Sequence, residues 1–330
     1  MLILTVASYV AIWAAYGFRH APASATTGQV NFVSLPLATE RAPGLTGIIN
    51  WVDGHRLLPN AYAQGFLLGQ AKAQKRSAYL AGEFSIEGWW YYFPFAFLIK
   101  TPVVVILLFV IGVVLCFARA KTLLETDVFV LAPVAVFLGA PMAAHLNIGL
   151  RHVLPIFPFA LLLAGKCATW AKIHQRGWLW IPLAAVMLLE FVFHAWPDYL
   201  AFFNFVVGGP RHGGEYLVDS NLDWGQDLKG LKRWMDRHHV EHINLSYFGT
   251  ADPDYYGIKC TYLPGCPFFA DHLVARPQLP GYVAVSVTNL RGVYFNEQWR
   301  EFYRPLLESR PVDRIGNSIF IYRRETEWWR

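Results

Sequence analysis

The chain has 330 residues, of which 55% are hydrophobic and 15% are charged, and its formal net charge is +5. Soluble domains carry about 25% charged residues, so this composition excludes an ordinary soluble protein over the whole length and favours lipid-facing segments. The basic excess is of the size that membrane topology produces, and no basic run with interleaved aromatic residues supports nucleic-acid binding.

Five apolar segments are candidates for membrane-spanning helices, each of which needs about 20 mostly apolar residues. They cover residues 2–18, 93–118, 128–144, 153–171 and 178–196. The first segment lacks the positively charged start of a signal peptide, so we expect it to be a membrane helix.

Basic residues in two short connections give the expected orientation. They follow the second and fourth segments: Arg119, Lys121, Lys172 and Arg176. Such residues stay cytoplasmic, which puts the loop 19–90 and residues 205–330 outside. We therefore expect a polytopic α-helical protein of the cell inner membrane, with about five transmembrane helices. Its transmembrane region, at 1–204, includes that large outer loop, and a C-terminal extracytoplasmic α/β domain follows at 205–330.

Two patterns indicate structure in the outer loop. Residues 57–75 carry apolar side chains at helical spacing (Leu58, Tyr62, Phe66, Leu67), which predicts an amphipathic helix along the membrane surface. The aromatic run at 88–94 directly precedes the second span, as in a belt of rings at headgroup depth. We expect an outer-face cluster of aromatic and acidic side chains there, formed by Glu83, Trp89, Tyr91 and Tyr92.

The C-terminal region alternates strand and helix patterns. The predicted strands cover 216–219, 243–248, 282–287 and, as an edge strand, 319–322; the predicted helices cover 224–238 and 297–307. This order predicts a small, mainly parallel sheet. No glycine-rich phosphate loop follows the first strand, so a nucleotide site is not indicated.

The four cysteines predict at most one disulfide. Cys116 and Cys167 lie in apolar segments, where they are expected to be packing residues. Cys260 and Cys266 flank a Pro-Gly turn in a polar loop, and a short-loop disulfide between them is expected on an oxidising side. Two unpaired thiols are the alternative, and a zinc site is not expected because no second ligand pair stands at a matching spacing.

Four polar residues lie near the expected outer ends of spans. Lys100 lies inside an apolar segment, where an ionisable group is a functional candidate or a lysine reaching for headgroups. Asn147, Arg151 and His152 stand where the third and fourth spans meet the outer surface. Arg151 and His152 precede a helix, and together with its N-terminus they suit an anion such as a lipid phosphate. An arginine that only anchors to headgroups is the alternative.

The most unusual polar run is Asp219-Ser-Asn-Leu-Asp-Trp-Gly-Gln-Asp227. Its alternate acids and amide, Asp219, Asn221, Asp223 and Asp227, are partly like a calcium loop, but the glycine comes one place late and Gly230 stands at the closing glutamate position. A turn whose acids cap a helix from Trp224 is the alternative, so no cofactor or metal is expected.

Glu190 and His194 stand four residues apart in the fifth apolar segment and share a helix face. We expect them to form a mutually satisfied buried pair. A proton relay would need more titratable partners than this segment supplies.

Several segments, taken in order, resemble the bacterial phospholipid-carrier-dependent glycosyltransferases, which are protein-mannosyltransferase-like members of the glycosyltransferase C superfamily. They are Gly-Glu-Phe-Ser-Ile-Glu-Gly-Trp-Trp-Tyr-Tyr-Phe-Pro at 82–94, Lys-Thr-Pro at 100–102, Asn-Ile-Gly-Leu-Arg-His-Val-Leu-Pro at 147–155 and Asp-Ser-Asn-Leu-Asp-Trp-Gly-Gln-Asp-Leu at 219–228. The resemblance spans about residues 50–325.

This resemblance implies an inner-membrane enzyme that transfers a sugar from a polyprenyl-phosphate carrier to an acceptor on the outer face. Arg151, His152 and Lys100 suit the stabilisation of the departing phosphate in charge and sidedness. In this family the catalytic acid lies in the first outer loop of a longer chain, and no such acidic motif follows Phe18. The chain therefore resembles the C-terminal half, acting alone or with a separate N-terminal half.

Two other classes of function are weighed against the transferase. A non-catalytic membrane protein would use the outer α/β domain for binding or assembly. A transporter is less favoured, because no broken-helix pair stands at matching positions in two halves.

The orientation predicts that the C-terminus lies outside. An alkaline phosphatase fused after Arg330 should be active, and a fluorescent protein fused there should stay dark, because the first folds only outside and the second only inside. The reverse pattern would overturn the topology and every outer-face assignment.

Overall fold

The computed structural model describes residues 2–20, 35–74, 76–118, 126–143, 146–173, 175–194, 196–265 and 276–329. The chain forms two compact units, residues 1–76 and 77–330. The boundary predicted between residues 204 and 205 therefore falls inside the second unit, which contains most of the apolar helices together with the C-terminal sheet.

The described part of the first unit is helical. Its helices are α1 (Leu2–Ala15), α2 (Leu35–Arg41), α3 (Pro43–Gly54) and α4 (Asn60–Gln74). One face of α4 is buried through residues four apart, Ala63, Leu67 and Ala71, against Ala38 and Ile49. The helix predicted within 57–75 is confirmed, with Phe66 exposed on its other side. Its position at a membrane surface stays a prediction.

The second unit begins with a short antiparallel hairpin, β1 (Ala78–Leu80) and β2 (Glu83–Ser85). Among the described residues, five apolar helices follow it: α5 (Tyr92–Lys100), α6 (Val103–Phe117), α7 (Val128–Ala143), α8 (Ile156–Ile173) and α9 (Trp180–His194).

Each of the five predicted spans contains helix. Among the described residues, the stretch Gly177–His194 is the one that is long and apolar enough to cross a bilayer. Ile3–Ala15, Val103–Phe117 and Val128–Ala143 are apolar but shorter. The structure thus gives a mainly helical chain with one candidate span and a small sheet, and the number of five spans stays a prediction.

The predicted span 93–118 is broken in the middle. Helix α5 ends at Lys100, Thr101 is extended, and α6 starts after Pro102. Proline disfavours helical backbone in the residue before it and cannot donate a backbone hydrogen bond, so it suits the start of a new helix. The amide of Val103 donates to Glu190 Oε2 at 3.0 Å, which caps α6 from α9.

Large apolar side chains point away from the protein on α6 to α9. They include Leu107, Val110, Ile111, Val114, Phe117, Phe129, Val136, Leu161, Leu162, Ile181, Leu188, Leu189 and Phe193. Apolar patches of this extent are rare on soluble monomers and are typical of membrane or protein contacts.

Helices α6 and α8 approach closely at a glycine. A Cβ atom at Gly112 would lie 2.1 Å from the carbonyl oxygen of Leu163. Small residues at such crossings let two backbones touch, as they do between membrane helices.

The C-terminal part of the second unit contains a five-stranded sheet. The strands are β3 (Ile243–Ser246), β4 (Cys260–Tyr262), β5 (Gly281–Ser286), β6 (Asp313–Ile315) and β7 (Ile319–Arg324), in the order β4-β3-β5-β7-β6. The helices are α10 (Pro210–Tyr216), α11 (Leu228–Arg237), α12 (Val287–Arg291) and α13 (Glu297–Leu307).

Both faces of this sheet are covered. One face packs against Leu228, Leu231 and Met235 of α11, which are the three apolar residues that the sequence places on one side of that helix. The other face packs against Tyr303 and Leu306 of α13. Because successive strand residues point to opposite faces, both helix layers are held by the same strands.

The strands predicted at 243–248 and 282–287 and the helix predicted at 297–307 are confirmed. The strand predicted at 216–219 is wrong, because α10 ends at Tyr216 and a 3₁₀ turn, Asp219–Asn221, follows. The helix predicted from Trp224 starts at Leu228.

The prediction of a mainly parallel sheet is also wrong. Strand β3 pairs in parallel with β4 and β5, but β7 pairs antiparallel with β5 and β6. Strand β7 is therefore internal rather than an edge strand. The three-residue connection between β6 and β7 begins with Gly316 and Asn317, which both have positive φ, and this tight turn adds β6 outside β7.

The close approach at Gly112 gives a stability prediction. Gly112→Ala forces α6 away from α8 and should lower the free energy of unfolding by about 1–3 kcal/mol, seen as a lower melting temperature in detergent. The matched control is Gly139→Ala on α7, where a Cβ atom meets nothing within 4 Å. Equal melting temperatures for both variants would contradict the close packing.

Candidate functional site

Three of the segments that carry the resemblance meet at one place in the second unit. The central piece is the turn that follows Val218. Asp219 has a left-handed φ of 55°, which places the next residues in a tight 3₁₀ turn. The side chains of Asp219, Asn221 and Asp223 are all buried within the protein. These three side chains therefore face inward, whereas Trp224 and Gln226 of the same run are exposed.

Asn221 connects this turn to the apolar helices. Its side-chain nitrogen donates to the hydroxyl of Tyr92 at 2.9 Å, and its side-chain oxygen accepts from the amide of Leu150 at 3.0 Å. Asn221 is 1% exposed. Buried amide groups need such partners, so the three segments are held in one register.

Two glycines allow the segments to approach. Ser220 donates to the carbonyl of Ile148, and a Cβ atom at Gly149 would lie 2.3 Å from the Ser220 hydroxyl. Asn147 accepts a hydrogen bond from the amide of Trp89 at 2.6 Å, and a Cβ atom at Gly88 would lie 2.0 Å from the same Asn147 oxygen. Asn147 thus holds the aromatic run in place rather than facing solvent.

Lys100 is half-buried and bonds to two other parts of the chain. Its ammonium group donates to the carbonyl of Leu200 at 2.9 Å and to the carbonyl of Asn221, and it lies 4.3 Å from the ring centre of Phe203. These contacts use its donors for backbone groups, so the amine ties the 219–221 turn to α5.

Arg151 is the exposed cation of the site. Its guanidinium carbon lies 5.4 Å from the ring centre of Trp224, which is 55% exposed. An aromatic face attracts a guanidinium through its negative π-surface and orients the plane of the group. Among the described residues, no carboxylate forms an ion pair with Arg151. His152 lies beside it, with its ring edge-on to Phe93 at 6.0 Å.

The predicted outer-face cluster is not one cluster. Tyr92 is buried against the core and bonded to Asn221, and Trp89 is half-buried at Asn147. Tyr91 is exposed, and Glu83 is exposed on the β-hairpin. Tyr92 therefore belongs to the interior instead of a headgroup belt, because its hydroxyl is needed by the buried amide.

The three carboxylates of the polar run bond to different partners. Asp219 accepts from the hydroxyl of Tyr294, Asp223 accepts from the amide of Gly225 at 3.0 Å, and Asp227 accepts from the hydroxyl of Ser318 at 2.6 Å. Within the described ranges, no group of three or more metal-ligating side chains comes together. The acids do not cap the next helix either, since Asp227 precedes α11 without a side-chain capping bond.

The side chain of Asp223, which precedes α11 in the chain, is fully buried against the N-terminal end of α12. Burial raises the pKa of its carboxyl from 3.8 to about 8, although the amide of Gly225 and the hydroxyls of Thr288 and Ser286 lower it. The group is therefore largely protonated near neutral pH. Burial also raises the pKa of Asp227.

Several residues at the site were missed by the sequence reasoning. Tyr294, which bonds to Asp219, stacks on Phe248 with ring centres 6.0 Å apart. Thr288 accepts from the amide of Asp219 at 3.1 Å. They lie about 70 residues from the turn, and no local pattern marks them as its partners. Trp224 stood in the quoted motif but was not singled out.

Glu190 also has a different partner from the predicted one. Its carboxylate accepts from the amides of Val103 and Phe205, at 3.0 and 3.4 Å. The His194 ring bonds to the backbone carbonyl of Glu190, at 3.2 Å, rather than to its carboxylate, so the pair is not mutually satisfied through side chains. The helix N-terminus at Val103 competes more strongly for the carboxylate.

The predicted Cys260–Cys266 disulfide lies partly outside the described residues, because Cys266 falls in 266–275. The basic residues Arg119 and Lys121, used for orientation, also lie outside them.

Comparison with known proteins finds no matching family model, no matching curated protein and no matching solved structure. The glycosyltransferase resemblance therefore rests on the motifs and their arrangement, and it stays a prediction.

The raised pKa of Asp223 predicts a pH-dependent stability. The folded protein keeps a proton that the unfolded chain releases above its ordinary pKa of 3.8, so stability falls as pH rises from about 4 to about 8 and then levels off. Asp223→Asn mimics the neutral acid, so its melting temperature should exceed that of the parent by a margin that grows between pH 5 and 8. The exposed Asp254→Asn serves as control, and a margin that does not change with pH would disprove the assignment.

Proposed function

We propose that this chain is a membrane glycosyltransferase, or its C-terminal part, that binds a polyprenyl-phosphate-linked sugar at the outer face of the inner membrane. The observation that carries the proposal is the meeting of the 82–102, 147–155 and 219–228 segments around Asn221, with Arg151 exposed at their edge. These are the segments on which the resemblance rests. Segments that only covered lipid would not need buried hydrogen bonds to one another.

Exposed apolar side chains on α6 to α9 support the membrane part of the proposal. The exposed leucine, isoleucine, valine and phenylalanine side chains of α6 to α9 would be covered by acyl chains. The candidate span Gly177–His194 belongs to the same unit as Arg151. A carrier lipid beside these helices would have its phosphate at the helix ends, and Arg151 lies in the short 3₁₀ helix that directly precedes α8.

The chemistry assigned to Arg151 is recognition and stabilisation of phosphate. In the transfer, an acceptor hydroxyl gives its proton to a base and attacks the anomeric carbon, the bond from that carbon to the phosphate oxygen breaks, and the carrier phosphate leaves with the electron pair. A guanidinium offers a planar fork of donors that matches two phosphate oxygens. Trp224 would hold the plane of that fork. We assign no catalytic base, and Lys100 is assigned to positioning the Asn221 turn.

One observation favours a second function, that of a non-catalytic membrane protein that binds through its α/β domain. Each carboxylate of the 219–227 run already has an internal partner, so none is placed as a base beside Arg151. Sugar transfer by the isolated chain, or by the chain with an N-terminal half, would distinguish the two functions.

The proposal predicts that Arg151 is needed for phosphate-dependent lipid binding. Purified chain in detergent is titrated with farnesyl phosphate and with farnesol, and tryptophan fluorescence is followed. The phosphate should bind more tightly than the alcohol. Arg151→Lys should weaken phosphate binding by about tenfold, or ~1.4 kcal/mol, and Arg151→Ala should weaken it further, because lysine keeps the charge but loses the fork.

The matched control is Arg176→Lys. Arg176 is also exposed and lies 5.8 Å from the ring centre of Trp170, so it makes the same kind of contact at the expected inner side. This variant should bind like the parent. If Arg151→Ala binds farnesyl phosphate as the parent does, Arg151 is only a headgroup anchor and the site assignment is wrong.

A further inference from the structure

A second concave surface lies on the C-terminal sheet domain, at helix α13. Its volume is about 590 Å³, which is within the range of small-molecule sites. We call it the tryptophan groove and define it by Trp299, Glu301, Phe302 and Arg304 of α13 with Trp328 and Trp329 after β7. None of these residues takes part in the Asn221 arrangement.

The floor of the groove is a rigid set of rings. Trp328 is 7% exposed, and its indole nitrogen donates to the carbonyl of Phe302 at 3.1 Å. Trp329 stacks on Phe302, with ring centres 5.7 Å apart and planes 26° apart, and it meets Trp328 edge-on at 4.8 Å. Trp299 meets Phe302 edge-on at 5.9 Å. Rings fixed in this way lose little further freedom when a ligand binds.

Charged, planar side chains border these rings. Glu301 and Arg304 form an ion pair across one helical turn, and both are about half exposed. Arg276 lines the same groove from the segment before β5. The groove thus combines aromatic faces with a carboxylate and guanidinium groups that can bond to adjacent hydroxyls.

We propose that the tryptophan groove binds a saccharide. A pyranose ring has one face of C–H groups and a rim of hydroxyls. The C–H dipoles are attracted to the negative face of an indole, and the hydroxyls bond to carboxylate and guanidinium groups beside it. A groove for an apolar helix would lack the charged rim, and a lipid site would not need it. This binding site goes beyond the proposed function and does not depend on Arg151.

The test uses the full chain in a detergent without a sugar headgroup, because maltoside and glucoside detergents would compete. Trisaccharides of glucose, N-acetylglucosamine and galacturonic acid are titrated, and binding is followed by tryptophan fluorescence and saturation-transfer NMR. At least one trisaccharide should bind saturably. Trp329→Ala should weaken that binding by at least about tenfold, and Glu301→Gln should weaken it measurably without removing a ring.

The control is Tyr255→Ala, which removes an aromatic ring that is 84% exposed on the same domain and outside the groove. This variant should bind as the parent does. Melting temperatures identify a Trp329→Ala protein that has lost its fold, and Glu301→Gln then decides the question. The proposal is overturned if none of the trisaccharides binds saturably. It is also overturned if Glu301→Gln and a folded Trp329→Ala both bind the trisaccharide as tightly as the parent. Binding of a ten-residue polyproline peptide without saccharide binding would overturn it in favour of a protein-docking surface.

Discussion

The buried side-chain amide of Asn221 is the interaction on which the arrangement of the second unit depends. It bonds to the hydroxyl of Tyr92 on α5 and to the backbone amide of Leu150 before α8, while the backbone carbonyl of Asn221 accepts from Lys100. An apolar replacement would leave the Tyr92 hydroxyl and the Leu150 amide without this partner, and each such loss costs more than the bond itself contributed. The turn around Asn221 therefore fixes where Arg151 and Trp224 lie.

Lys100 illustrates a way to keep a lysine inside an apolar region without a carboxylate. Two carbonyl oxygens and the face of Phe203 surround the ammonium group. Lys166 uses the other solution and pairs with Asp127 at 2.5 Å. The ion pair neutralises the charge of Lys166 with one side chain. The two carbonyl oxygens at Lys100 come from distant segments, so the lysine also links those segments to α5. Lys100 therefore joins several segments, whereas Lys166 forms one contact, with Asp127.

Local pattern was enough to predict the elements whose ends are determined locally. Helix α13 follows the predicted bounds because Asn296 caps it through the amide of Trp299 and an apolar face continues to Leu307. Strand β3 follows an alternation of apolar and polar residues, and β5 follows an apolar run. Sheet order was not predictable in this way, since it depends on pairing between distant strands, although the Gly316-Asn317 turn was a readable hairpin signal that was overlooked. The break at Pro102 was also readable, because proline seldom continues a helix.

The site was predictable as a set of segments but not as a set of roles. The motifs that the sequence singled out do come together, yet Asn147, Lys100 and the acids of the 219–227 run are occupied by partners from elsewhere in the chain. Each of those partners lies about 60 to 120 residues away along the chain. Residue type and local spacing therefore could not show whether a side chain is free to bind a ligand. Arg151 keeps its predicted availability because its neighbour is an aromatic face rather than an acid.

The capping of α6 by Glu190 has a consequence for the order of assembly. Pro102 frees the amide of Val103 from any helical partner, and that amide is satisfied by a carboxylate almost 90 residues later in the chain. During synthesis, α6 is complete before α9 exists. If both helices enter the bilayer, α6 arrives with an exposed polar end and α9 with an unpaired acid, and each removes the defect of the other only when they associate. The N-terminus of α6 thus stays uncapped until α9 has been made and has packed against it. A block in the insertion of α9 would therefore leave α6 poorly anchored.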